Sequence, residues 1–397
     1  MINRIPFNLM NVFVSRSPIL PLNFFLDVTR ESKLSDDAVK TLFLTNEIIR
    51  EFIYVSSPSL YRVLDKWVDG ATIKNKEKER LKISFLKYIS RASSRCTPFG
   101  LFAGCSVGEI GDKTDIRLGG IDEFKRKTVL DTRILALIAK KLLEQDKVKT
   151  HLIFYPNTSI YYLGQELRYV RSLFVNDQKQ HTIVSIKENP FLKEILAKAK
   201  DGCKRKSLIE LLTNQDIPYN AASKFIDEII ETQLLVSELE VCVTDDQDEL
   251  LRIISILRRT KHLKELENSL TVINNKLTDL DKQIGNPNKK YLDIKVALEK
   301  LLGQKLPEEN MFQVDLFPTA TKSELAGEIG ESVLNGLSIL NQLSATESKV
   351  ELDNFKKSFY RRYERRGVPL AEVLDTDVGI GYGRDDNAGE MNPLIDN

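Results

Sequence analysis

The sequence predicts a multi-lobed α+β protein: a mixed sheet with helices, an inserted winged-helix-like module and a helical hairpin. Three observations predict this class. The chain has 397 residues, two to three times the usual single-domain length. Short apolar runs and helical patterns alternate in its first part, and three β-prone runs followed by three helices come next. A leucine heptad then appears further on.

Composition and charge exclude several classes of protein. With 42% hydrophobic and 29% charged residues the chain is globular, and its net charge of +1 gives no overall attraction to nucleic acid or membrane. The four cysteines never adopt a CxxC spacing and the three histidines are scattered, so we expect neither a metal site nor a disulfide framework. No signal peptide or long apolar run is visible, so we expect a cytoplasmic protein without a membrane span.

Residues 1–150 form the first predicted domain, which contains a long helix that is apolar on one face and basic on another. The apolar positions at helical spacing are Leu81, Phe85, Tyr88, Ile89 and Ala92, and the basic ones are Arg80, Lys87, Arg91 and Arg95. The residue before Pro98 avoids the α region and Gly100 tolerates a turn, so the helix ends there. A strand, LFAGCSVGEIG, follows, and then a helix over 132–145 with Asp131 as its N-cap.

Residues 151–244 are predicted to form a winged-helix-like module. The runs SIYYLG, ELRYVRSLFV and HTIVSI are β-prone, helices are expected over 190–200, 207–214 and 221–233, and the run LLVSELEVCV closes the unit as a strand. Such a module is large enough to fold as an independent insertion.

The third segment, 245–303, predicts an antiparallel helical hairpin. Apolar residues alternate four and three apart at Leu266, Leu270, Ile273, Leu277, Leu280 and Ile284, and the run GNPN at 285–288 breaks the first helix. Residues 304–397 then predict a strand at MFQVDLFP and a helix over 327–342. The final stretch from 375 offers little to a core and leads us to expect an interrupted chain.

The strongest local signal for chemistry is a pair of arginines at the end of the long helix. Arg91 and Arg95 lie four residues apart with Lys87 one turn earlier, and they lead into Thr97 and a glycine turn. Planar guanidinium groups in this arrangement suit a phosphate or a carboxylate. Between 74 and 95 there are eight basic residues against two acidic ones. Composition alone does not distinguish a polyanion site from a solvated helix face.

The other candidates are weaker. A second basic run at 356–366 is interleaved with aromatic residues, which are more typical of core packing than of RNA contacts. Asp131 and Asp315 are isolated carboxylates, for which a cap or a salt bridge is the more common role. Asp315 lies between apolar residues in a strand, where alternation points it away from them. The run GIGYG at 379–383 lacks the flanking strand and helix of a phosphate loop. With no cofactor motif, chemistry would require an activated substrate that the protein positions.

The run SRASSRCTPFGLFAG resembles the signature of the lanthipeptide (lantibiotic) dehydratases, the class that includes the nisin dehydratase. The resemblance extends in order through FVSRSPILP, VLDTRIL, FQVDLF and FYRRYERRGVPLAEVLDTDVGIGYG, and so spans nearly the whole chain. It implies transfer of glutamate from glutamyl-tRNA to Ser or Thr of a precursor peptide, and later elimination to dehydroalanine or dehydrobutyrine. Glutamyl-tRNA is the co-substrate and no other cofactor is implied.

The resemblance also implies roles for particular residues. Those at positions that the family uses for glutamylation are Arg16, Arg91, Arg95, Thr97, Asp131 and Asp315, and those expected to bind tRNA are Lys87, Arg91 and Arg95. Arg91 and Arg95 would bind acceptor phosphates or the glutamate carboxylate, and Thr97 would shape that site. Asp131 would orient an arginine or assist the attacking hydroxyl. A later arginine motif of the family and its elimination domain do not occur in this sequence.

The winged-helix-like module resembles the family's element for precursor recognition, where a leader peptide adds as a strand to a sheet edge. The edge would be 160–163 or 167–174. Implied partners are the precursor peptide, glutamyl-tRNA, the remaining dehydratase region or elimination domain and a cyclase, with a homodimer left open. Two other interpretations also stay open: a non-catalytic scaffold that binds the leader peptide, and a plain RNA-binding protein.

Overall fold

The computed structural model describes residues 7–30, 34–175, 178–242, 244, 247–343 and 350–382. The chain divides into two compact units, one formed by Met1–Leu142 with Val241–Leu343 and the other by Leu143–Glu240 with Ser344–Asn397. Helices and strands are mixed in both units, so the α+β prediction is confirmed. No helix among the described residues is long and apolar enough to cross a bilayer.

The described residues form sixteen α-helices and twelve strands. The helices are α1 Leu22–Val28, α2 Asp36–Thr45, α3 Glu47–Ser56, α4 Pro58–Val68, α5 Asn75–Ser94, α6 Thr132–Leu143, α7 Asp146–Lys149, α8 Pro190–Ala199, α9 Arg205–Thr213, α10 Tyr219–Glu231, α11 Glu249–Arg258, α12 Lys264–Leu280, α13 Asn288–Leu302, α14 Gly327–Leu343, α15 Val350–Tyr363 and α16 Leu370–Leu374. The strands are β1 Val12–Pro18, β2 Ala103–Gly111, β3 Asp115–Leu118, β4 Lys125–Leu130, β5 Ile153–Pro156, β6 Tyr161–Leu163, β7 Glu166–Val175, β8 Gln178–Lys187, β9 Cys203–Lys204, β10 Leu235–Ser237, β11 Phe312–Phe317 and β12 Ala320–Ala326.

The first unit contains a mixed sheet of order β1-β2-β12-β3. Strand β12 runs parallel to β2 and antiparallel to β3, while β1 pairs antiparallel with β2. Beside this sheet, β4 and β11 form an antiparallel ribbon in which Asp315 lies opposite Lys127. The sequence did not predict β12, because its register depends on two strands that lie about two hundred residues earlier in the chain.

Local capping explains where the first helices begin. Ser35, Asn46 and Ser57 each accept a hydrogen bond from a backbone N–H three residues ahead, which satisfies a donor in the first turn of α2, α3 and α4. The apolar faces of these helices are buried, with Phe43 and Phe52 inaccessible to solvent. They form the core on which α5 rests.

The helical pair α12–α13 belongs to the first unit. Leu270, Ile273, Leu277 and Leu280 of the predicted seam are buried. Helix α12 packs on α11, α13 and β4, and α13 also contacts α3. The short connection between α12 and α13 therefore lies beside the β4–β11 ribbon.

The second unit contains two small sheets, of order β10-β5-β9 and β6-β7-β8, with helices α8, α9 and α10. Its closing strand covers only Leu235–Ser237 of the longer run that the sequence suggested. The final stretch contributes more than expected at its first residue, because Asp375 is buried. Residues 383–397 lie outside the described part of the chain.

Candidate functional site

The basic candidates of the long helix lie on its last two turns and in the turn that follows. Helix α5 ends at Ser94, and Arg95 already has extended backbone angles. Arg91 is half-buried, whereas Lys87, Arg95 and Thr97 are exposed. The structure therefore places all four of these predicted residues on one end of one helix.

Ion pairs distinguish Lys78 and Lys82, in the first half of α5, from the basic residues at its end, although the exposed Lys76 and Arg80 also have no ion pair among the described residues. Lys78 and Lys82 bind Asp36 at 3.3 and 3.1 Å. The hydrogen bond from Lys82 is the main cause that lowers the pKa of Asp36, as expected for a carboxylate between two ammonium groups. By contrast, no described residue offers a carboxylate to Lys87, Arg91 or Arg95. These three cations form the unpaired basic site, the name we use for them below.

The strand that carries Arg16 is joined to the end of α5 by a backbone hydrogen bond. Strand β1 places Arg16 opposite Cys105 of β2, on the exposed face of the sheet. Two residues after β1, the N–H of Leu20 donates to the carbonyl of Ala92 at 2.9 Å. The end of β1 is thereby fixed against the last turn of α5.

Several buried polar atoms at this junction have no hydrogen-bond partner within the described residues. They are Ser17 Oγ on β1, and Arg91 Nε and Ser93 Oγ on α5. Buried polar groups are nearly always satisfied in proteins, so unsatisfied ones call for an explanation such as a bound group. Two of these atoms, Arg91 Nε and Ser93 Oγ, belong to the last turn of α5, beside the unpaired basic site.

Asp131 is the N-cap of α6. Its Oδ1 accepts from the backbone N–H of Arg133 at 2.9 Å, and its carbonyl accepts from the N–H of Leu135 at 3.1 Å. The capping role predicted from sequence is present, and it occupies one carboxylate oxygen.

Asp315 lies on the outer side of the β4–β11 ribbon. It is exposed between buried Val314 and Leu316, as strand alternation predicted, and it accepts a hydrogen bond from Gln313 Nε2 at 3.2 Å. Asp315, Gln313 and Lys127 line one cleft together with Thr132, the first residue of α6. Lys127 and Gln313 were not predicted from the sequence, because their proximity to Asp315 depends on the register of the ribbon.

A buried charged cluster anchors this ribbon to the helices. Arg126 of β4 forms an ion pair with Glu51 of α3, and neither side chain is accessible to solvent. Tyr291 of α13 receives a hydrogen bond from Arg126 at 2.8 Å and donates one to Glu51 at 2.6 Å. Burial is the main cause that raises the pKa of the Tyr291 hydroxyl. Three elements are therefore tied together at one point.

Strand β2 connects the ribbon with the unpaired basic site. Gly104 packs so closely that a Cβ there would collide with the carbonyl of Leu316 on β11. Two residues earlier, the carbonyl of Phe102 accepts from Ile19, just after β1. The start of β2 thus contacts Leu316, next to Asp315, and Ile19, three residues after Arg16, although it does not bring Asp315 into a described contact with the arginines.

In the second unit, the prediction that 167–174 is a sheet edge open to a leader peptide is wrong. Strand β7 lies between β6 and β8, so the run 167–174 is not a sheet edge. Beyond the end of the short β6, side chains rather than a neighbouring strand form hydrogen bonds with the backbone of β7. Val170 N–H donates to Ser159 Oγ at 2.9 Å, and the Gln233 amide binds both the N–H and the carbonyl of Ser172 at 2.8 and 2.7 Å. A peptide strand cannot add there without displacing them.

A carboxylate near the end of the described chain holds this sheet. Asp375 is 1% exposed, accepts a hydrogen bond from Tyr161 of β6, and binds Arg168 of β7 at 2.9 Å. Burial raises the pKa of Asp375, but these hydrogen bonds outweigh it and leave the pKa lowered. This role of Asp375 was not predicted, because the residue begins an Asp- and Gly-rich stretch that offers few apolar side chains.

Most aromatic residues of the second basic run pack against other side chains. Tyr363 is buried and packs on Phe359 at 5.2 Å, and Phe355 packs on Tyr382 at 5.3 Å. Only Tyr360 is largely exposed among the aromatics of α15. The core interpretation therefore fits better than base stacking.

The chain is thus an α+β protein with three cations at one helix end that have no acidic partner among the described residues, and those residues contain no cluster of His, Cys, Asp and Glu that could hold a metal. The model of the lantibiotic dehydratase N terminus matches residues 45–393. The chain belongs to this family, which confirms the resemblance read from its motifs.

Three known proteins illustrate the relationship. The epidermin biosynthesis protein EpiB of Staphylococcus epidermidis is 25% identical over 97% of this chain, which covers 38% of that protein. The tRNA-dependent lantibiotic dehydratase MibB from Microbispora sp. 107891 superposes with a TM-score of 0.77 at 20% identity, over 95% of this chain and 35% of that one. The glutamylation domain of TbtB from thiomuracin biosynthesis gives 0.58 at 15% identity, over 84% of this chain and 40% of that one. This chain thus spans little more than a third of EpiB.

Proposed function

We propose that this chain provides the N-terminal part of a glutamylation region, which binds glutamyl-tRNA and positions its ester for attack by a Ser or Thr hydroxyl of a precursor peptide. The observation that carries the proposal is the unpaired basic site. Lys87, Arg91 and Arg95 have no acidic partner in the described chain, whereas Lys78 and Lys82 on the same helix are neutralised. Cations without partners on a rigid helix end are suited to phosphates.

The proposed reaction needs positioning more than activation. The precursor hydroxyl oxygen bonds to the glutamyl carbonyl carbon, the ester bond to the tRNA breaks, and the hydroxyl proton passes to the departing tRNA oxygen. Negative charge develops on the carbonyl oxygen, where guanidinium groups such as Arg91 or Arg95 stabilise it. Arg16 and Thr97 complete this site in the proposal, Asp131 acts from the start of α6, and Asp315 acts from the ribbon.

A salt titration of glutamyl-tRNA binding tests the proposal. Three phosphate contacts predict a slope of about −2 to −3 in log affinity against log salt, and Arg91→Ala with Arg95→Ala should reduce its magnitude by about 1.4 to 1.8. The matched control is Arg361→Ala with Arg365→Ala, which removes two arginines at the same spacing from the second basic run. Equal binding by wild type and the Arg91/Arg95 variant, or weakening only in the control, would contradict the site.

A second candidate function, capture of a peptide strand, is favoured by the edge of β8. Strand β8 pairs with β7 along its whole length, and no hydrogen bond within the described residues occupies its other side. Ile183 is half-exposed on this ten-residue edge, which is much longer than β6. We therefore propose β8, which the sequence did not suggest, as the strand that accepts a leader peptide.

Hydrogen exchange with a synthetic leader peptide of a lantibiotic precursor tests this second function. Strand addition should slow the exchange of outward-facing amides of β8 and leave those of β5 unchanged. Protection confined to another strand would overturn the assignment.

A further inference from the structure

Phe99 occupies an unusual position for a large apolar residue. It is 54% exposed, although the three residues Leu101, Phe102 and Ala103 that follow Gly100 are buried. The backbone folds it back: Gly100 has φ +53°, and the N–H of Phe102 donates to the carbonyl of Phe99 at 3.1 Å. This left-handed backbone conformation favours glycine. The Thr-Pro-Phe-Gly run thus places an aromatic ring back against α5.

The ring lies against Arg91. The Arg91 Cζ atom is 4.8 Å from the centroid of Phe99 and 5.4 Å from that of Phe102. The two rings are stacked with centroids 6.2 Å apart and an interplanar angle of 10°. Phe102 is itself fixed in the core, against Phe52 at 5.0 Å and Tyr88 at 5.6 Å. The guanidinium therefore rests on an aromatic pair with one anchored and one exposed member.

This packing explains the state of Arg91. Its Nε is buried without a hydrogen-bond partner in the described residues, and no carboxylate there restrains its terminal nitrogens. Aromatic contact holds the guanidinium without using any of its N–H groups. A side chain that is already ordered loses less rotamer freedom when it binds an anion.

We propose that Phe99 is a positioning residue for Arg91: it holds the guanidinium plane in place and leaves the terminal N–H groups to the anionic ligand. This inference rests on the proposed function, because the ligand is the glutamyl-tRNA of that proposal. The ring must be aromatic, whereas its exposed edge need not be apolar.

Binding of glutamyl-tRNA by five variants tests the inference. Phe99→Leu should weaken binding about two- to five-fold, the range of an exposed cation–π contact, and Phe99→Tyr should restore it. Arg91→Ala combined with Phe99→Leu should bind no more weakly than Arg91→Ala alone, since Phe99 acts through Arg91. Phe191→Leu, a change at another partly exposed phenylalanine, is the control and should bind like wild type. Additive losses in the double variant would overturn the inference.

A spectroscopic measurement separates this inference from the proposed function. In wild type, the Nε–H resonance of Arg91 should carry a ring-current shift that Phe99→Leu reduces and Phe99→Tyr keeps. An unshifted resonance, or one insensitive to Phe99, would overturn the inference even if tRNA binds. Conversely, a wild-type chain that shows the shift but binds no glutamyl-tRNA would support the packing and overturn the proposed function.

Discussion

Replacing Glu51 by glutamine tests the buried cluster that holds the β4–β11 ribbon. The Glu51 carboxylate accepts hydrogen bonds from Arg126, Tyr291, the backbone N–H of Gly285 at 2.6 Å, and the backbone N–H of Asn286 at 3.0 Å. Every partner is a donor. A glutamine amide brings two donors of its own into this setting and removes the charge that compensates Arg126.

The expected loss of stability is large because both charged side chains have 0% exposure. Removing one member of a buried ion pair costs about 3 to 5 kcal/mol, since the other charge stays buried. Asp281 lies 3.6 Å from Arg126, too far to replace the lost hydrogen bond. The double variant Glu51→Gln with Arg126→Met should cost less than Glu51→Gln alone, because it leaves no unpaired charge and keeps an acceptor oxygen for the buried donors of Gly285, Asn286 and Tyr291.

Urea unfolding followed by fluorescence measures this loss. The single tryptophan, Trp67, is 2% exposed in α4, so its signal reports the first unit alone. Reporting on one unit also avoids treating a two-unit chain as two-state. The control is Arg258→Ala, which breaks a pair whose arginine side chain is 65% exposed and should cost at most about 1 kcal/mol. A loss below about 1 kcal/mol for Glu51→Gln, or a larger loss in the double variant, would refute the reasoning.

Three further predictions concern single positions. Asp131→Ala should lower the free energy of unfolding by about 1 kcal/mol, whereas Asp131→Asn keeps the cap; thermal denaturation distinguishes them, and equal losses would contradict the capping role. Asp375→Asn should destabilise at pH 7. Because the folded-state pKa of Asp375 is lowered, its contribution is present above the ordinary value of about 3.9 and is lost as pH falls below it, so unfolding of wild type and variant should converge in acid; a gap that persists there would contradict the assignment. Gly104→Ala should cost about 1 to 3 kcal/mol through its clash with Leu316, measured by the Trp67 signal, and an unchanged midpoint would mean that β2 and β11 separate easily.

Features that depend on neighbours in sequence were predictable. The apolar face of α5 is buried as its periodicity required, with Phe85 and Ile89 at 0% exposure. Asp131 caps α6 because an aspartate before a helical pattern can accept from the first turn wherever the helix packs. Asp315 is exposed because strand alternation is intrinsic to the backbone. In each case the determining contacts lie within a few residues.

Features that depend on distant pairing were not predictable. From the sequence, Lys78 and Lys82 look the same as Lys87 and Arg91, since all four are basic residues of one helix. Only the fold shows that Asp36 forms ion pairs with Lys78 and Lys82. Strand β7 was proposed as an edge because its pattern is β-prone, and pattern alone gives no strand order. Asp375 lies 214 residues from Tyr161, so no local signal could mark its burial.

The distinction between paired and unpaired charge bears directly on function. A helix that only needed solubility could leave all its basic residues in water, yet this one neutralises Lys78 and Lys82 while Arg91 is held by aromatic rings that consume none of its donors. Holding a guanidinium with Phe99 and Phe102 rather than with a carboxylate keeps its charge available. Such an arrangement gains nothing for folding that an ion pair would not also supply, and it favours binding an external anion. For this reason the end of α5, and not the longer basic run as a whole, is where the proposed glutamyl-tRNA site lies.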